Sequence, residues 1–283
     1  MAKIQHKREN ALEKAWYIVK PFLVYTVVKT VAILGLALLL PTIPIAGLDI
    51  WVENHSQLLS TTVNGVAALI GVTVVLREFI KEMSTVGEID IDSSVMKQLL
   101  ICIKNGMNNC KSKAFSLAAV VSLGISAALA LNIFIELLSV SSEKYENVEA
   151  IQYSVPLWLG LLLYGLVSPV TEEIIFRGIT YNRMKRFFKV VPCVLVTSLL
   201  FGGFHANLPQ FLYGTCMGVL MTLAYEWTKT FAAPLLLHMS ANVFVFVLSF
   251  VEVEIVSWAI GGVFAVIAAV LVGYLYWKSR EKS

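Results

Sequence analysis

The sequence predicts an all-α fold: a polytopic membrane bundle of about eight transmembrane helices with both termini in the cytoplasm. Three observations predict it. Of the 283 residues, 58% are hydrophobic and only 14% charged, whereas a soluble domain carries about 25% charge. Eight apolar stretches have about the length that a helix needs to cross a bilayer. The basic residues fall in alternate loops, as the retention of Lys and Arg on the cytoplasmic side requires. A net charge of +3 supplies no basic surface of the kind nucleic acid needs. The bilayer is the expected partner of most of the surface.

The stretches lie near 18–40, 58–76, 114–138, 151–186, 190–206, 209–228, 230–250 and 255–277. No small-residue cleavage site follows the first, so it reads as a retained helix rather than a removed leader. The fourth is too long to stand straight, and Pro169 is a candidate kink. With both termini inside, 18 of the 22 basic residues become cytoplasmic, and only Lys144 falls outside. Lys20, Lys29 and Arg177 lie within spans. Residues 1–150 then hold three helices and a cytoplasmic loop at 77–113, and residues 151–283 hold the rest.

That loop contains VMKQLLICIKNGM, whose Met96, Leu99, Leu100, Ile103 and Met107 recur at helical spacing. It fits a helix on the inner membrane face or one packed under the bundle equally well. The nearby EIDIDSS lacks the glycine and closing glutamate of a calcium loop. Cys102, Cys110, Cys193 and Cys216 form no CxxC pair and read as unpaired structural thiols. Gly214 and Gly218 make a GxxxG on the sixth span, which permits close helix contact.

Ionisable groups at membrane depth usually face the bundle interior and mark function. In SPVTEEIIFRG, Glu172 and Glu173 are neighbours, so their side chains point about 100° apart. Glu173 stands four residues before Arg177, the favoured order for a helical ion pair. That pairing leaves Glu172 to face another helix. The fifth span ends FGGFH, with Phe201 one turn before His205. The seventh holds HMSAN, with His238 and Asn242 on one face. Counting from the basic turn at 183–189, Glu172 lies roughly 21 Å up one helix and His205 roughly 22 Å up the next, at 1.5 Å per residue. Asn242 comes to a similar depth.

Glu172, His205, His238 and Asn242 can therefore meet at one internal point. A carboxylate beside an imidazole can hold and deprotonate a water. A second imidazole and an amide can donate to a developing oxyanion. The set reads as an amide hydrolase whose nucleophile is water. Gly-x-Ser-x-Gly is absent, and Ser240 has no evident base. Taken singly, a buried His or Asn is more often an interhelical hydrogen-bonding group; the combination at matched depth argues for chemistry.

EEIIFRG fits EExxxR at Glu172, Glu173 and Arg177; FGGFH fits FxxxH at Phe201 and His205; HMSAN fits HxxxN at His238 and Asn242. In this order the motifs resemble the CAAX protease and bacteriocin-processing (CPBP, or Abi) family of intramembrane endopeptidases. The resemblance covers about 168–242, and residues 1–150 match nothing beyond membrane helices. It implies a helix bundle enclosing a glutamate-dependent site, in which Glu172 and His205 position the water and His238 and Asn242 stabilise the oxyanion. Glu173, Arg177 and Phe201 would support them. The expected substrate is a peptide or membrane protein, and the expected location a bacterial cell membrane. No cofactor is favoured, although Glu172, His205 and His238 could be three zinc ligands with an open fourth position. The competing expectations are a non-catalytic immunity or peptide-binding protein of the same fold, and a small-solute or proton transporter.

Overall fold

The computed structural model describes residues 10–45, 47–87, 114–251 and 257–281. Cys102, Cys110, the 96–107 stretch and EIDIDSS lie outside the described residues. Cys193 and Cys216 are both free thiols, the first buried.

Helix α1 (Ala11–Leu39) starts at a capping box. The Asn10 side chain accepts from the Leu12 N–H, and Glu13 accepts from the Asn10 N–H, which satisfies donors that a helix start leaves open. The short α2 (Leu48–Asn54) leads into α3 (Ser56–Thr85), which returns along α1. Next come α4 (Ala114–Leu137) and α5 (Glu143–Tyr153). Then α6 (Leu157–Met184), α7 (Val190–Phe204), α8 (Leu208–Thr228), α9 (Ala232–Leu248) and α10 (Trp258–Arg280) complete the bundle. Helix α4 packs against α9 and α10, and α7 against α8.

The bundle is polytopic and all-helical, with eight long helical segments among the described residues. Five are long and apolar enough to cross a membrane by length and composition: α1, α3, α4, α6 and α10. The three others build the interior around the fourth span. α7 and α9 have 15 and 17 residues, or roughly 22 and 25 Å at 1.5 Å per residue. α8 carries Gln210, Thr215, Thr222 and Glu226 along its length. On α1 and α10 the large apolar side chains Val27, Val31, Leu34, Val263, Val266 and Val270 point outward. Such a surface is stable only against lipid.

The fourth span differs from its expected form. Its first residues form the separate α5, capped by Ser142, whose hydroxyl accepts from the Tyr145 N–H at 3.2 Å. The chain breaks at 154–156 and restarts after Pro156, whose missing N–H suits a helix start. Within α6, Leu163–Val167 and Ile174–Tyr181 are π-helical. Pro169 follows the first π segment directly, where the wider winding accommodates a residue that cannot donate. Neither a kinked straight helix nor a projecting end describes it.

Glycines set the α7–α8 approach. A side chain on Gly202 would run into the Phe211 carbonyl and Thr215 of α8. Gly214 lies against the Gly202 backbone, and Gly218 against Ser198. The GxxxG of α8 thus works inside the bundle, letting α7 carry FGGFH close to the centre.

One end of the bundle is closed by charge. Glu82, on α3 and fully buried, binds Arg183 at 3.0 Å and also Arg186. Arg183 also pairs with Glu78, donates to the Tyr17 carbonyl at 2.7 Å and lies over the Tyr17 ring. Beside them Glu226 receives Lys185 at 2.6 Å and the Tyr181 hydroxyl at 2.8 Å. The basic turn that fixes orientation therefore ties α1, α3, α6 and α8 together.

Candidate active site

Glu172 and Glu173 stand at the end of the short α-helical turn between the two π segments of α6. Adjacent positions give them different surroundings. Glu173 is fully buried, and its Oε1 accepts from Arg177 Nη1 at 2.6 Å. The rest of that guanidinium is held by Thr222 Oγ1 at 3.3 Å and the Gly218 carbonyl at 3.1 Å. Phe201 covers it, with its ring centre 4.7 Å from the guanidinium carbon. Such enclosure is tolerable only because the charge is paired and hydrogen-bonded. Glu172 turns the other way: its Oε1 accepts from Ser168 Oγ, one turn earlier, and it lines an internal cavity.

Two carboxylates flank His238. Its Nδ1 lies 2.9 Å from Glu173 Oε1, and its Nε2 lies 3.8 Å from Glu172 Oε2. An N–H at Nδ1 donating to Glu173 fixes the ring plane and aims Nε2 at the cavity, as carboxylate partners do for functional imidazoles. Glu173 therefore serves two helices, holding Arg177 on its own and His238 on α9. The spacing rule reveals the first contact. The second joins residues 65 apart in sequence.

His205 follows the last turn of α7, its Nδ1 3.0 Å from the Phe201 carbonyl. Ala206 then takes a left-handed backbone conformation (φ 57°), and Asn207 caps α8 by accepting from the Gln210 N–H at 3.0 Å. This tight reversal holds the imidazole at the cavity wall. Phe201 lies edge-on to both His205 and His238, with ring centres 5.4 and 5.5 Å apart. Asn242 donates from Nδ2 to the Tyr164 carbonyl at 3.0 Å, within the first π segment. The π winding thus supplies an acceptor to a neighbouring helix. One amide hydrogen of Asn242 remains beyond this bond.

Glu172, Phe201, His205, His238 and Asn242 all line one cavity of about 470 Å³. Glu173 and Arg177 stand behind it. The motif residues fall into a cavity-facing group and a supporting pair, with Phe201 touching both. Two further polar groups belong to the surroundings: Ser168 on Glu172, and Lys29, which reaches the cavity from α1. Both were visible in the sequence, one as a serine four residues before Glu172 and the other as a charge within a span.

The zinc expectation requires three ligands in one shell. Among the described residues, no three His, Cys, Asp or Glu side chains converge as a metal-binding group. His238 and Glu172 face each other without His205 completing a set. The residues as placed do not form that shell, and no step below is routed through zinc.

The match to the family described as "Type II CAAX prenyl endopeptidase Rce1-like" covers residues 154–244, the span that carries all three motifs. The chain belongs to the CAAX protease and bacteriocin-processing family. Among its relatives is "Putative membrane peptidase YdiL" of Bacillus subtilis, 29% identical over 238 residues, which are 82% of this chain and 88% of that protein. Another is "Membrane-embedded CAAX protease MroQ" of Staphylococcus aureus, 29% identical over 119 residues, covering 40% of this chain and 47% of MroQ. No solved structure matches. The chain is an integral, multi-pass membrane protein of a peptidase family, and both of these relatives are bacterial.

Proposed function

We propose that this protein is an intramembrane endopeptidase that hydrolyses a peptide bond with a water activated by Glu172 and His205. The observation that carries the reading is the division of the glutamates: Glu172 faces the cavity with His205, His238 and Asn242, while Glu173 is buried with Arg177. In the first step a proton leaves the water for the Glu172 carboxylate, and the oxygen attacks the peptide carbonyl carbon. The oxyanion that forms is met by His238 Nε2 and the free Asn242 N–H. In that role His238 carries protons on both ring nitrogens, with Nδ1–H held by Glu173. Collapse of the tetrahedral intermediate breaks the C–N bond, and the proton on Glu172 passes to the leaving amine. Arg177 and Phe201 position Glu173 and the two imidazoles without touching the substrate.

The substrate in this reading is a peptide or a membrane-protein segment. Comparing membrane proteomes of wild-type and Glu172→Ala cells tests the activity and identifies the substrate together. Cleaved termini present only with the wild type are expected. Identical termini in both, with equal expression, would leave the non-catalytic peptide-binding reading in its place.

A further inference from the structure

We propose that the cavity opens to the extracytoplasmic face and receives its peptide from there, the cytoplasmic end of the bundle being sealed. The identity of the occupant rests on the peptidase reading; the direction of access rests on geometry alone.

The residues that line the cavity come from seven of the eight long helices, and each contributes from the same half. α3 supplies Ser60, Thr61 and Asn64 near its start, and α4 supplies Asn132 and Ile135 near its end. α7 supplies Phe204 and His205 at its end, and α8 supplies Pro209 and Gln210 at its start. The short α5 adds Tyr145, Glu149 and Gln152. Because successive helices run in opposite directions, these starts and ends fall at one level of the bundle. That level is opposite the cluster of Arg183, Lys185, Arg186 and Lys229. Basic loops stay in the cytoplasm, so the cavity extends towards the outside.

Burial follows the same direction. Glu172, Met217, Met221 and His238 are 0–7% exposed at the deep end, whereas Ser60 and Asn64 are exposed at the other. Below the deep end the interior is solid: Phe79, Phe176, Ile179 and Tyr181 are at most 1% exposed, and the Glu82 and Glu226 ion pairs lie under them. The cavity walls suit an extended peptide. Amides at Asn64, Asn132, Gln152 and Gln210, together with the phenols of Tyr145 and Tyr213, offer donors and acceptors at a depth where an unpaired backbone group costs several kcal/mol.

Cysteine labelling tests the direction without needing a substrate. In a chain lacking the four native cysteines, Gln152→Cys and Gln210→Cys report the wall and Met217→Cys the deep end. Ser141→Cys and Glu281→Cys report the outer and inner faces. An impermeant maleimide added to intact cells is expected to label the two wall positions and Ser141→Cys, but Glu281→Cys only after permeabilisation. Met217→Cys is expected to follow the wall positions wherever it folds. Wall positions labelled only from the inside would overturn the proposal, as would Ser141→Cys behaving as an inner residue. Labelling by a membrane-permeant maleimide alone would also overturn it, by pointing to entry from the lipid. Repeating the wall labelling in Glu172→Ala separates the two ideas. Outer labelling with unchanged proteomes removes the catalytic reading and keeps the access route.

Discussion

The two halves of this bundle handle polar groups in opposite ways. In the cytoplasmic half, charges are spent on each other: Glu82 with Arg183 and Arg186, and Glu226 with Lys185 and Lys229. In the outer half, Glu172, His205 and Asn242 face a cavity. The boundary is Glu173, whose carboxylate joins the buried Arg177 to the cavity-lining His238. A membrane enzyme of this form needs both regions, because a hollow half cannot define positions unless a packed half holds the helices.

Substitutions on the two sides of that boundary should therefore fail differently. Glu172→Gln removes the proton acceptor while keeping the shape. Cleavage in purified protein should fall by about 10²–10⁴-fold, the range for a general base, with the thermal midpoint unchanged. Glu173→Ala should lose both activity and fold, because it strands Arg177. Breaking a buried pair from one side costs about 3–5 kcal/mol, to be read from unfolding in detergent. If Glu173→Ala kept full stability, the boundary role would be wrong.

Glu82→Ala lies wholly in the packed half. It should cost about 1.5–3 kcal/mol, the range for a hydrogen bond to a charged group, and leave the turnover of the folded fraction near normal. Gly202→Ala tests the glycine contact that brings α7 to α8. Overpacking of this kind costs about 1–3 kcal/mol, and the displaced His205 should also slow turnover.

The smallest expected effect is at the cavity mouth. Burial is the main cause that raises the Glu149 carboxyl above its usual range, opposed by the Tyr145 hydroxyl and reinforced by Glu136 and Glu146. The native state then holds a proton that the unfolded chain releases. Its contribution is fully present below the ordinary carboxylate range, about pH 4.3, and is lost as pH rises through the elevated native value. Glu149→Gln should flatten that decline in a series of thermal midpoints from acid to neutral pH.

Much of this organisation was legible along the chain, because lipid imposes a length and a polarity on every span. The Glu173–Arg177 pair was legible too, since one helical turn brings them together. The α5 helix was not separated from the fourth span. Its start, SSEKYE, and the break before Pro156 are local signals, but the apolar residues at 151–163 run across the break. The π segments left no readable trace, because a change of winding needs no change in apolar composition.

The sequence by itself determined a multi-pass helical protein, its cytoplasmic face by charge, and three motifs spaced to reach one depth. These follow from periodicity, composition and the cost of charge in hydrocarbon. Only the tertiary structure decided that Glu173 serves His238 as well as Arg177, and that Asn242 donates to a carbonyl of a π segment. It alone also placed a cavity in the outer half over a sealed inner end. Those features depend on contacts between helices distant in sequence, and no local pattern encodes which neighbour a side chain meets.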